Sequence, residues 1–407
     1  MSDVTTTTRF HPDNVQVDRI TDFLVGVLVV FIALRIPGSL FVVAACSMLL
    51  LVLLPLQAPD RTVLPWLVTM MAATASSGMA VLSVSSSPEI INFATITMVF
   101  LMVSATMLLS PHGMRLARVV VSTLYWCFGL TMMIGIGEIV TGFRLSHLIY
   151  PELVWAPIPP GPFEVSAFYP NYNDFSVIVT MFATMVVLRV LFDHSSPLRT
   201  LLRVAVFTAA SGLIFLQGSR GALAALMLGM MLAVWLNLRT SVHTHWITLA
   251  TVLAGLLGAA GVFAIWESPW VQDNSTKVRG LVLERVMALA PEESAQFWVG
   301  WGTRETYRQV GENRFPGELT DPHNVFFEAF IWYGFPVTVL LVICWALVTW
   351  RGVLQMPRRL TWQELSATVM VALLPVLGVV PSSTFRYYFI FLFGAAAFAT
   401  LSSWRQP

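Results

Sequence analysis

The chain has 407 residues, of which 57% are hydrophobic and 11% charged, with a formal net charge of +1 and a mean hydropathy of +0.75. Soluble domains carry about 25% charged residues, so a water-soluble enzyme is excluded. The near-neutral balance and the lack of a basic tract leave no nucleic-acid partner in view.

Apolar stretches of about 20 residues, enough to cross a bilayer as helix, recur along the chain. They predict an all-α, polytopic transmembrane helical bundle of about 12 spans. In chain order, residues 1–17 read as a cytosolic N-terminal tail, and 18–267 hold spans one to nine. The first five lie at 18–36, 38–56, 63–84, 89–110 and 115–142. No small-residue cleavage site follows the first, so it reads as a retained helix. A connector from Gly142 to Asn171 holds Pro151, Pro157, Pro159, Pro160, Pro162 and Pro170, too many for a regular helix. Spans at 173–192, 201–218, 220–238 and 246–266 follow, the middle pair parted only by Gln217 to Gly221. Residues 268–322 form a large extracytoplasmic loop carrying short amphipathic helices. Residues 323–403 hold spans at 323–349, 363–381 and 385–403, and 404–407 is a cytosolic C-terminal tail.

With the N-terminus in the cytosol, inside segments carry 13 arginines and the short outside segments four, Arg35, Arg144, Arg220 and Arg386. That bias orients the protein, since long loops translocate largely regardless of charge. It predicts a plasma-membrane protein with both termini cytosolic and the long loop facing outward. Cys46, Cys127 and Cys344 sit inside apolar runs and read as small buried hydrophobes rather than a disulfide framework.

The loop from Ser268 to Pro322 holds 14 of the chain's 45 Asp, Glu, Lys and Arg residues. Chemistry at a membrane surface belongs on such a loop or beside it. Arg220, in Gln217-Gly218-Ser219-Arg220-Gly221-Ala222, is an arginine between two small-residue positions at the outer face. A guanidinium beside exposed backbone N–H groups suits a phosphate or diphosphate, although an interfacial anchor has the same appearance. Val278 to Leu289 has helical apolar spacing, so Arg279 sits near the start of a surface helix, with Arg285 as its substitute; pairing with Glu284 is the structural alternative. His323 stands where the chain re-enters the membrane, beside Asn324; its imidazole could take a hydroxyl proton or serve structure alone. Asn171 and Tyr172, in Tyr169-Pro170-Asn171-Tyr172-Asn173-Asp174, fit either a helix start or amides reaching sugar hydroxyls. Trp301, with Trp298, Trp332 and Tyr333, reads as an aromatic belt residue or a sugar-stacking platform. No metal-ligand spacing appears in the sequence, and no cofactor is expected.

Taken in order, these motifs resemble the O-antigen ligase and O-antigen polymerase family of bacterial membrane glycosyltransferases. The resemblance rests on Phe168-Tyr169-Pro170-Asn171, Gly218-Ser219-Arg220-Gly221-Ala222-Leu223, and the Arg279 helix followed by Val299-Gly300-Trp301-Gly302. It also rests on His323-Asn324 with Gly334 after nine residues, and it covers about residues 165–345. Val337 departs from it, standing where many members carry a small residue. The resemblance implies a metal-independent, inverting transfer of a glycan from a polyprenyl-diphosphate carrier to an acceptor hydroxyl at the outer face. Arg220 and Arg279 would bind the diphosphate and His323 would activate or orient the acceptor, with Asn171, Asn324, Arg285, Tyr172 and Trp301 as substrate contacts. The implied partners are the lipid-linked glycan donor, a lipid-linked or surface glycan acceptor, and membrane lipids. A ligase leads over a polymerase of lipid-linked repeat units on the strength of the His323-Asn324…Gly334 spacing. A peptidoglycan-type polymerase and a flippase of lipid-linked glycans are the other readings. The flippase would need ionisable residues along the span interiors, where few occur.

Overall fold

The computed structural model describes residues 12–34, 39–83, 88–149, 163–169, 171–193, 195–241, 284, 294–302, 324–355, 360–380 and 389–404. Arg279, Arg285 and His323, the expected span 246–266 and most of the loop at 268–322 lie outside them. Among the described residues every regular element is helical: α1 (Pro12–Ala33), α2 (Ser39–Leu53), α3 (Leu64–Ser83), α4 (Pro88–Leu109), α5 (Gly113–Thr141), α6 (Leu145–Ile149), α7 (Tyr172–Phe192), α8 (Pro197–Leu216), α9 (Arg220–Ser241), α10 (Ser294–Val299), α11 (Val325–Leu347) with a π-helical continuation Val348–Leu354, α12 (Trp362–Ala372), α13 (Leu374–Leu377) and α14 (Phe389–Ser403).

Seven helices among the described residues are long and apolar enough to cross a membrane: Leu64–Leu82, Ile90–Leu109, Gly113–Thr141, Tyr172–Phe192, Pro197–Leu216, Arg220–Arg239 and Val325–Leu354. The closely spaced pair around Arg220 is two helices, α8 and α9, parted by the turn Gln217–Ser219. The stretch expected as one span at 363–381 is instead divided into α12 and α13. Pro375, in the first turn of α13, has no N–H to continue the helical ladder.

Without a hydrophobic drive between helices in lipid, small residues that let backbones approach carry much of the packing. A Cβ on Gly135 of α5 would stand 2.3 Å from the Phe175 ring of α7, and one on Gly394 of α14 would stand 2.2 Å from the Trp66 ring of α3. Phe128 meets Phe389 edge-on at 5.4 Å where α5 crosses α14. Several hydroxyls inside the spans bond their own helix, as Thr131 does to Cys127 O (2.9 Å) and Thr184 to Thr180 O (2.9 Å), which pairs those donors without water.

The bundle has two ends of different character. One gathers basic residues: Arg115 pairs with Asp18 and Asp22, Arg118 with Glu364 (2.6 Å) and Arg203 with Asp193 (2.7 Å), while Arg239 donates to Val353 O (2.7 Å). Arg239 closes α9 and Asn324 opens α11, yet Val353 lies at the far end of the same long helix as Asn324. The two residues therefore stand at opposite ends of the bundle. The opposite end gathers the starts of α7, α9 and α11.

Candidate functional site

At that second end, the segment 163–169 lies ahead of α7 and is fixed from three sides. Glu138, near the end of α5 and 3% exposed, accepts from the backbone N–H groups of Leu145 (2.7 Å), Ser166 (3.1 Å) and Ala167 (3.2 Å). Three donors satisfy a carboxyl group whose burial without partners would be costly. The Ser166 hydroxyl donates to that of Ser146 (2.6 Å), and the fully buried Tyr169 donates its OH to Ala33 O (2.8 Å), tying the segment to α1. Helix α7 then begins at Asn171, whose side chain accepts from Asp174 N (3.0 Å). Asn171 is thus an N-cap, an arrangement worth about 1 kcal/mol, and Tyr172, the first helical residue, is half-buried.

The turn between α8 and α9 reaches both of these elements. Gln217 is 7% exposed; its amide nitrogen donates to Val165 O (3.0 Å), and its amide oxygen accepts from Ser176 in the first turns of α7. Gly218 then takes φ +66°, a conformation open to glycine at little cost. Leu223 N bonds to Ser219 O (3.0 Å), so α9 starts at Arg220, which is exposed. Gly221 presses on the chain beyond α13, where an added Cβ would lie 2.9 Å from Val380 Cγ2.

The same stretch carries the start of α11. A Cβ on Gly378 would stand 2.9 Å from Val325 Cβ and 3.1 Å from Val325 N. Asn324 caps α11, accepting from Phe326 N (2.9 Å) and Phe327 N (3.3 Å). Helix starts at Asn171, Arg220 and Asn324 are therefore linked, the first two through Gln217 and the last two through Gly378–Val380. Each brings the positive end of a helix dipole, which favours an anion. The first-turn carboxylates Asp174 (0% exposed) and Glu328 (2%) are turned into the protein.

Gly334 has a packing role. Within α11 it adopts φ 80°, ψ 177°, and Pro336 follows, so the helical ladder breaks there. The freed carbonyls find other donors: Trp301 N bonds Ile331 O (2.7 Å), and the Ser76 hydroxyl lies 2.7 Å from Tyr333 O and 2.6 Å from Val299 O. Gly300 (φ +75°) stacks on the break so closely that a Cβ on Gly334 would stand 2.3 Å from Trp298 O. Trp301 is fully enclosed, edge-on to Phe330 at 6.1 Å, which is a packing position; Trp298 is 58% exposed.

Of the residues expected to form a site, Arg220, Asn171, Tyr172 and Asn324 stand at one end of the bundle, and Trp301 is sealed behind α11. His323, Arg279 and Arg285 lie outside the described residues, though His323 immediately precedes the Asn324 cap. Glu138 escaped the sequence reading. Its signal was present, as a lone carboxylate in the otherwise apolar run Met133 to Val140.

No curated protein matches the chain. A family model described as O-antigen ligase matches residues 204–342, a range that contains Arg220, Arg279, Arg285, Trp301, His323 and Asn324 and leaves Asn171 and Tyr172 on its N-terminal side. Its members are membrane glycosyltransferases, ligases and polymerases. The resemblance in the motifs and this match agree: the chain is an integral membrane protein whose residues 204–342 match the O-antigen ligase family model.

Proposed function

We propose that the protein is a glycan ligase, moving a glycan from a polyprenyl-diphosphate carrier to an acceptor hydroxyl at the outward face of the plasma membrane. The observation that carries this reading is the linkage of the α9 and α11 starts through Gly378–Val380. It sets the exposed Arg220 and the residue that follows His323 on one support. The acceptor oxygen attacks the anomeric carbon as the bond from that carbon to the phosphate oxygen breaks. The carrier diphosphate leaves with the electron pair, the configuration inverts, and His323 receives or orients the acceptor proton. Arg220 and Arg279 hold the departing charge, with Arg285 in the second place if Arg279 faces away. Arginines at a preorganised site do this without a metal ion. Asn171 and Asn324 fix the backbone that presents these groups, and Tyr172 borders the donor sugar.

The His323-Asn324…Gly334 spacing supports the ligase over a polymerase of lipid-linked repeat units, and Gly334 also packs against Gly300. The acceptor decides. Purified protein incubated with a lipid-linked oligosaccharide and either a lipid-core acceptor or a second lipid-linked unit is expected to give a mass increase on the first alone. Arg220→Ala and His323→Ala are each expected to slow transfer by about 10²–10³, and a chelator is expected to leave it unchanged. Wild-type transfer by His323→Ala would refute its catalytic role, and activity restored by Mg²⁺ after chelation would refute metal independence.

A further inference from the structure

At the opposite, arginine-rich end, a cleft of about 530 Å³ opens between α5 and α8 over α7. That is within the roughly 300–1,000 Å³ of ligand clefts. Trp126, Leu130 and Met133 of α5 form one wall, Leu202 and Val206 of α8 the other, and Phe182 lies between. Trp126, Leu130, Met133 and Leu202 are exposed, so in a membrane this cleft opens sideways to acyl chains.

Three arginines, Arg189, Arg199 and Arg203, also line the cleft. Arg203 is spent on Asp193 (2.7 Å), Ser195 (3.1 Å) and Arg189 O (3.1 Å). Arg189 lies over the Tyr125 and Trp362 rings at 5.1 and 5.0 Å and reaches Asp193 at 3.4 Å. Arg199 is exposed and makes no hydrogen bond or ion pair among the described residues. Three cations against the single carboxylate of Asp193 leave a local excess of two positive charges above an apolar slot.

We propose that this cleft binds one anionic phospholipid, its phosphate on Arg199 with the field of Arg203 and Arg189 behind it, and an acyl chain along α5 and α8. Charge complementarity selects an anionic headgroup over a zwitterionic one, since a basic group near an anionic leaflet contributes about 1 kcal/mol. The site is separate from the proposed transfer site and does not depend on it.

The test uses full-length protein in detergent with equimolar phosphatidylglycerol and phosphatidylethanolamine, read by native mass spectrometry. One phosphatidylglycerol per chain is expected to be retained in preference. Arg199→Ala is expected to weaken retention about fivefold, the equivalent of one such contact. Met133→Trp narrows the slot while leaving all three arginines, and is expected to lower retention as well; Leu202→Trp serves if that variant does not fold. The proposal is overturned by equal retention of the two lipids, by retention unchanged in the variants, by displacement with millimolar inorganic diphosphate alone, or by recovery of a polyprenyl phosphate in the lipid's place.

Discussion

A carboxylate sealed among apolar helices must find donors or be neutralised. Glu138 finds three, all of them backbone N–H groups of the chain that follows α5. Replacing it with alanine would strip those N–H groups of their acceptor at 3% exposure. Glu138→Ala is therefore expected to lower unfolding stability by about 2–4 kcal/mol, with Glu138→Gln costing less because one amide oxygen remains to accept. Thermal unfolding in detergent measures both, and an unchanged midpoint in Glu138→Ala would remove the residue from the account. Asn171 and Asn324 show how far single residues could be read in advance. The helix-start alternative for Asn171 was visible in the sequence, because Asn before an apolar run is an N-cap signal. For Asn324 the neighbouring histidine drew the reading toward chemistry, yet its side chain makes the same kind of cap. Both asparagines therefore fix helix starts.

Among the elements, α10 and α11 depend on one another. Irregular backbone at membrane depth is tolerated only where its polar groups are satisfied by protein. The Gly334–Pro336 break frees carbonyls that the segment after α10 and Ser76 of α3 then serve. Gly334→Ala would impose a φ near +80° on a residue with a Cβ and drive that atom into Trp298 O. A strain of about 1–3 kcal/mol from the backbone alone, with the steric conflict added, predicts a sharply lower yield of folded protein. Folding yield by size-exclusion chromatography tests this, and a normal yield with an unchanged melting point would show that the break can relax. Hydropathy made the long helices legible because their apolar runs match the bilayer. It could not show the interruptions at Gly334–Pro336 or Pro375, because apolar residues continue through both. The proline and glycine there carried the only signal.

For the whole molecule, the arginine count and the structure bear on topology in different ways. The structure separates an end rich in ion pairs from an end rich in helix starts, while the arginine bias proposes which of them is cytosolic. Glu284 is exposed and lies in the long loop, and Cys46, Cys127 and Cys344 are all buried. Glu284→Cys can therefore be labelled without removing native thiols. A membrane-impermeant maleimide is expected to modify it from outside intact cells; modification from the cytosolic side only would reverse the proposed orientation and take the transfer site with it.

The matched range 204–342 is held in place by residues it does not contain. Gln217 leans on Val165 and Ser176, Val325 on Gly378, Gly221 on Val380, and the carbonyls of Val299 and Tyr333 on Ser76. The domain is thus not a portable cassette. A chimera that grafts residues 204–342 into another protein carrying a match to the O-antigen ligase model inherits Gln217, Gly221 and Val325 but none of the residues they lean on. Moving the range with its supports intact would require transplanting the opposing positions 76, 165, 176, 378 and 380 together with it.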